Sequence, residues 1–136
     1  TMTKQYINDL TYKIIGASIE VHKALGAGLL ESVYHKCLKQ EFIKQEISFQ
    51  SELNVPIHYN DVIIDADLRC DFLVENCIVL ELKAIEHVIP LHEAQLFTYM
   101  RLLNVPKGII INFNCVNLFK NGQKTFVNDL FSKLPE

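Results

Sequence analysis

Apolar residues recur at spacings of three and four from Thr3 to Leu25, at Tyr6, Leu10, Ile14, Ala17, Val21 and Leu25. That period predicts an amphipathic helix. Gly26-Ala27-Gly28 closes it, because glycine readily takes the left-handed geometry that ends a helix. A second helix is expected from about Leu29 to Gln45, with Val33, Cys37, Leu38, Phe42 and Ile43 on its buried face, paired with the first as a hairpin. The period then shortens to two. Leu53, Val55, Ile57 and Tyr59 alternate within a strand region from Ser48 to Tyr59, where Pro56 marks an edge or an irregularity. Asn60-Asp61 signals a turn, and Val62 to Ala66 a short strand.

Two apolar runs follow, Phe72–Val74 and Cys77–Leu82, joined by the polar pair Glu75-Asn76, which predicts a hairpin. Pro90 opens a third helix to about Leu103, with Leu91, Ala94, Leu96, Phe97 and Leu102 in its apolar face. Gly108 to Phe113 (GIIINF) is apolar throughout, as in a strand buried on both faces. Val116–Phe119 and Lys124–Val127 read as a terminal hairpin about Asn121-Gly122, and Asn128 to Leu134 as a short last helix. The expected order is α-α-β-β-β-α-β plus a C-terminal hairpin. That describes one α/β (α+β) domain over residues 1–136, with a mixed central sheet flanked by helices.

Charge breaks the apolar pattern in one place. Asp71 lies in the first strand of the Glu75-Asn76 hairpin, and Glu81 and Lys83 in the second. Buried strands seldom carry charge without a partner or a metal. Side chains two apart share a strand face, so Glu81 and Lys83 point the same way. A strict two-residue turn would set Asp71 opposite Leu80. A three-residue turn or bulge would pair Val74 with Ile78 and Phe72 with Leu80, and bring Asp71 opposite Glu81. The apolar match favours this second register. Two carboxylates and an ammonium on one face suit a hard cation such as Mg²⁺ with a phosphate substrate. A salt-bridged cluster with no metal is the alternative.

Composition narrows the classes. The chain has 136 residues, 49% hydrophobic and 21% charged, enough for one domain with a core. Its net charge of −3 argues against a broad basic surface for indiscriminate nucleic-acid binding, though not against a local basic groove. No membrane span or signal peptide is evident, and a cytoplasmic location is expected. Cys37, Cys70, Cys77 and Cys115 form no CxxC pair and read as reduced thiols. Pro90 separates His87 from His92, which makes them a poor ligand pair. No Walker-type or dinucleotide-binding loop is present. Glu31 begins the second helix, where an acid is ordinary, and Tyr34 follows one turn on.

Gly28-Leu29-Leu30-Glu31-Ser32-Val33-Tyr34 resembles the signature of the GxxExxY family. The segments IEVHKALGAGLLESVY, ELKAIEHVIPLHEAQLFTYMRL and GIIINFN are similar to that family in the same order, over roughly Ile14 to Val127. The family is placed in the PD-(D/E)XK nuclease superfamily, so the resemblance implies a restriction-endonuclease-like core. It implies that Asp71 is the first acid and that Glu81-Leu82-Lys83 is the (D/E)XK element. Glu31 would be a further metal ligand, with the Leu82 carbonyl as another oxygen. Gln95 and Tyr99 match a QxxxY pattern near the scissile phosphate, and Tyr34 and Arg69 are further candidates for contact with substrate. Cys70 stands where a proline often precedes the first acid.

The expected activity is Mg²⁺- or Mn²⁺-dependent hydrolysis of DNA, with RNA second, by a protein without membrane attachment that could act as a homodimer. The contrasting expectation is a non-catalytic binding module that retains the fold. The two are distinguished by whether Lys36, Lys39, Lys44, Arg69 and Arg101 rim the acids or scatter. A weaker third reading is hydrolysis of a small phosphate-containing molecule.

Overall fold

The computed structural model describes residues 2–136. Helix α1 runs Lys4–Leu25, and Thr3 caps it by accepting a hydrogen bond from the Tyr6 N–H. Gly26 ends it at φ 71°, with its N–H bonded to the His22 carbonyl at 2.7 Å. Helix α2 spans Glu31–Lys44. Its buried face is Tyr34, Leu38 and Phe42 with His35, not the face expected through Val33 and Ile43, which are exposed. The difference is a small rotation. Tyr34 stacks on Phe113 with ring centroids 4.3 Å apart, and Phe42 packs edge-on against Phe72. Those aromatic contacts outweigh the smaller β-branched side chains.

The strand region divides at Val55-Pro56 into β1 (Phe49–Asn54) and β2 (Ile57–Tyr59). β2 pairs with β3 (Val62–Ile64) as a separate two-stranded hairpin. The main sheet has the order β1-β4-β5-β6-β7, where β4 is Arg69–Val74, β5 Ile78–Lys83, β6 Lys107–Asn112 and β7 Gln123–Val127. β5 and β6 are parallel and joined through α3 (Pro90–Leu103), while the other pairs are antiparallel. One core lies between the sheet and α1 and α2, with Ile14, Leu38, Phe72, Leu80, Leu82 and Ile111. A second lies under α3, with Leu73, Val79, Leu96, Tyr99, Met100 and Ile110. Gly108 permits that contact: a Cβ there would come within 2.7 Å of the Met100 sulfur. α3 also turns differently from the expectation, because Leu91 and Phe97 are exposed and Leu96, Tyr99 and Met100 are buried.

The C-terminal hairpin is built from β6 and β7, not across Asn121-Gly122. Residues Leu118–Gly122 form a single wide helical turn. Gly122 is needed there for close approach, since a Cβ would sit 2.8 Å from the Asn112 carbonyl oxygen and from the Cys115 sulfur. A short α4, Asp129–Ser132, follows with Asn128 as its cap. No helix among the described residues is long and apolar enough to cross a membrane.

Candidate active site

The β4–β5 register decides where the charges meet. Val74 pairs with Ile78, Leu73 with Val79 and Phe72 with Leu80, the register favoured by the apolar match. Glu75 and Asn76 both take positive φ, 51° and 58°, and the Cys77 N–H closes the turn on the Val74 carbonyl at 3.0 Å. Cys77 is the extra residue that shifts the register by one, as a bulge does.

One step beyond Phe72 and Leu80 the strands part. The Asp71 N–H donates to Glu81 Oε2 at 2.7 Å, and the Leu82 N–H donates to Asp71 Oδ2 at 2.7 Å. Each carboxylate thus replaces a backbone acceptor of the ladder, leaving Asp71 Oδ1 and Glu81 Oε1 outside these bonds. The other side of β4 is irregular at the same level. Its pairing with β1 runs from Ser51–Phe72 to Leu53–Cys70, and Glu52, opposite Asp71, has φ 52°. A left-handed non-glycine residue inside a strand is strained, and such strain collects at functional sites.

Both acids are partly or largely removed from water. Burial pushes Glu81 up to about 8, with Asp71 next in effect, while the bonded Asp71 N–H and Lys83 oppose the rise. Burial likewise raises Asp71, against the Leu82 N–H, His35 and Lys83. Glu31 is exposed on the first turn of α2, yet burial of its inner side and then Asp71 raise it, and Lys83 lowers it. Three carboxylates therefore lie within electrostatic reach of one another and of Lys83. Among the described residues, no three His, Cys, Asp or Glu side chains stand close enough to clasp an ion as they are arranged. The donor chemistry nevertheless fits a hard divalent cation. It consists of carboxylate oxygens with raised proton affinity, and a nearby cation would offset their mutual repulsion.

The Gly-Glu-Tyr spacing has a physical account. Gly28 takes φ 97° in the α1–α2 loop. The Tyr34 hydroxyl donates to the Gly26 carbonyl at 2.6 Å and accepts from the Leu29 N–H at 3.2 Å. Tyr34 thereby clamps the loop that presents Glu31. Its expected contact with substrate is corrected: the side chain is fully buried, with its ring against Phe113.

On α3, Tyr99 is buried under the acids, and its hydroxyl is raised by burial and then by Glu81, Cys70 and Asp71. Gln95 is exposed one turn earlier, with Nε2 3.5 Å from the Tyr99 hydroxyl. Arg69 is exposed at the start of β4, 3.8 Å from Asp67. Leu82 buries its side chain in the α1–α2 core. His92 is no ligand partner for His87, since its Nδ1 accepts from the Ile89 N–H at the start of α3. The basic residues do not all rim the acids: Lys39 lies within electrostatic reach of His35, which also feels Asp71, but others lie elsewhere. Lys44 ends α2 near Ile47 and Ser48, and Ser48 is bonded to Glu75 at the turn end of the hairpin. Arg101 lies near the end of α3, which leads into the start of β6.

Two further neighbours were given no role by the sequence. His35 stacks on Phe72 at 4.4 Å, and its Nε2 is 2.7 Å from the Ser51 hydroxyl. Burial lowers its proton affinity, while Asp71 and Glu52 raise it. Cys70 is driven up to about 12 by burial and then by Glu81 and Asp71. His35 falls one helical turn after Glu31, which is the one pattern that could have flagged it.

A family model described as the PD-(D/E)XK nuclease superfamily matches residues 8–126. No curated protein and no solved structure matches the chain.

Proposed function

Because the chain belongs to the PD-(D/E)XK nuclease superfamily, whose members generally use divalent metals such as Mg²⁺, we propose that it hydrolyses phosphodiester bonds of DNA, and of RNA second, at the Asp71–Glu81 site. The observation that carries this reading is the crossed pair of hydrogen bonds that sets the two acids side by side, with Lys83 two residues on. Asp71 and Glu81 would hold Mg²⁺ or Mn²⁺, with Glu31 and the Leu82 carbonyl completing the oxygen set. Bound there, the ion would polarise the phosphate and stabilise the departing oxygen. Lys83 Nζ would orient the attacking water and help remove its proton. Gln95 would contact the phosphate backbone from α3, with Tyr99 bracing the helix beneath it, and Arg69 would add a cation beside β4.

Calorimetric titration of the metal-stripped protein with Mn²⁺ and Mg²⁺, together with cleavage assays on DNA and RNA, tests the reading. Binding and cleavage that both vanish in Glu81→Ala support it. Cleavage by that variant at the wild-type rate would sink it. The scattered basic residues favour the alternative, a non-catalytic module, which predicts no cleavage under any metal.

A further inference from the structure

Beside the acids lies a cleft that the proposed hydrolysis does not use. It has a volume of about 310 Å³ and sits where β5 and β6 end and β7 begins. That volume is at the lower end of the roughly 300–1,000 Å³ range of ligand sites. The sheet register places it relative to the site. Glu81 lies beside Ile110 and Lys83 beside Asn112 on the neighbouring strand, and Ile110 and Asn112 both line the cleft. Adjacent strands are about 4.8 Å apart, so the cleft opens one strand away from the acid and the lysine. The carboxyl ends of strands are also where open α/β sheets bind ligands.

The cleft is held in shape by Asn112. Its Oδ1 accepts from the N–H groups of Ile85 (3.1 Å) and Asn114 (3.2 Å), and its Nδ2 donates to the Ile85 carbonyl (2.9 Å). These bonds tie the β5–α3 loop to the end of β6 and fix two walls. The remaining walls carry hydrogen-bonding side chains: Glu86, His87, Asn114, Asn121, Gln123 and Lys124. Gln123 Nε2 donates to the Phe119 carbonyl at 3.2 Å, which leaves its Oε1 as an acceptor. Asn121 is exposed and offers both a donor and an acceptor. Lys124 is paired with Glu93 at 2.6 Å, so its charge is already met, and Glu86 adds a negative wall. The two basic lining residues, His87 and Lys124, each face a carboxylate, Glu86 at 3.9 Å and Glu93 at 2.6 Å, so neither is left over for a phosphate. A neutral planar ring edged with amino and carbonyl groups would be matched.

We infer that this cleft receives the nucleobase next to the scissile phosphate and reads its edge through Glu86, Asn121 and Gln123, which would make it the determinant of base preference. This rests on the phosphodiesterase reading of the adjoining acids. Amide and carboxylate side chains are the groups that pair with base edges, each good pair discriminating by about tenfold or more.

Cys115 lines the cleft and provides a readout independent of cleavage. The full chain is alkylated with and without each nucleoside monophosphate, with inorganic phosphate as control, and modification of Cys115 and Cys37 is followed by peptide mass. Base-selective protection of Cys115 but not Cys37, lost in Asn121→Ala and Gln123→Ala, is the expected result. On random-sequence strands, the same substitutions should flatten the base preference beside the cut by about tenfold. Equal protection by all nucleotides and by phosphate, or none, would overturn the inference, as would an unaltered base preference. Base-selective protection in a chain that cuts nothing would sink the phosphodiesterase reading alone. A chain that cuts but shows no protection would sink the cleft alone.

Discussion

The β2–β3 hairpin turns at Asn60-Asp61 with φ of 48° and 62°, and the β4–β5 hairpin turns at Glu75-Asn76 with φ of 51° and 58°. Both connect short strands of largely apolar residues. In β2–β3, every residue is exposed or half-buried, and Ile63 and Val62 face water. In β4–β5, α1 and α2 cover one face and α3 the other, and most residues are buried. Turn chemistry and strand propensity make both hairpins, whereas tertiary cover decides what a charge in them means. Asp61, Asp65 and Asp67 are exposed around the outer hairpin. Asp71 and Glu81 sit in the inner one, where burial raises their proton affinity.

The sharpest way to break this contrast is to delete a carboxylate from each hairpin. Glu81→Ala should abolish Mn²⁺ binding and cleavage while circular dichroism reports an intact fold. Asp65→Ala should leave both at wild-type levels. Equal effects of the two substitutions would mean that burial does not single out the inner acids.

Truncation of apolar residues should separate the hairpins nearly as widely. Leu80 is fully buried and Ile63 is 68% exposed. Leu80→Ala should cost about 2–5 kcal/mol in urea unfolding, from lost transfer energy and the cavity left behind. Ile63→Ala should stay within roughly 0.5 kcal/mol, as surface changes do. A large loss from Ile63→Ala would show that the outer hairpin is covered in solution.

The inner acids also set a pH dependence. Glu81 in the folded chain is raised to about 8 from an ordinary 4.5, and Asp71 is raised from 3.8. Between those limits the folded chain binds more protons than the unfolded one, so stability falls as pH rises from about 4.5 to 8. The slope is at most about 1.4 kcal/mol per pH unit for one proton. Melting temperature against pH measures it. Glu81→Gln should flatten the fall, and saturating Mn²⁺ should reverse it by favouring the ionised acids. A flat profile in the metal-free wild type would contradict the assignment.

How much of this was legible in sequence follows the same division. Helix limits were clear because caps announce them: Thr3, Gly26, Pro90 and Asn128 bound elements close to where composition places them. The β4–β5 register was legible because a one-residue slip would have set Asp71 against Leu80. Helix faces were less clear. Both α2 and α3 turn toward aromatic and long side chains, Tyr34, Tyr99 and Met100, at the expense of the neighbours that simple hydrophobicity favours. Asn121-Gly122 misled because Gly122 serves close approach to Asn112 and Cys115, not a hairpin turn. Within the site, Asp71, Glu81 and Lys83 lie on one hairpin and could be read together. Glu52 and His35 reach it from other elements, through a backbone irregularity and a stacked ring, and only the one-turn spacing of His35 from Glu31 hints at the latter.

The smallest predicted effect compares the two turns directly. Left-handed backbone at a non-glycine residue costs roughly 1–2 kcal/mol, less for Asn and Asp, and glycine would remove that cost at the expense of a freer unfolded chain. In the outer turn these terms nearly cancel, so Asp61→Gly should change stability by no more than about 0.5 kcal/mol. The inner turn shares the left-handed pair but has Cys77 as an extra residue, and it carries a working side chain. Glu75 Oε1 accepts from the Ser48 N–H at 2.9 Å and Oε2 from the Tyr6 hydroxyl at 3.1 Å, which pins the hairpin to α1 and to the start of β1. Glu75→Gly should therefore destabilise by about 1–3 kcal/mol despite the relieved strain. It should also move Tyr6, which burial and then Glu75 hold up at about 12, partway back toward 10 in a spectrophotometric titration. Equal responses at Asp61 and Glu75, with Tyr6 unmoved, would mean that turn geometry alone sets the stability of both hairpins and that the Glu75 bonds contribute nothing.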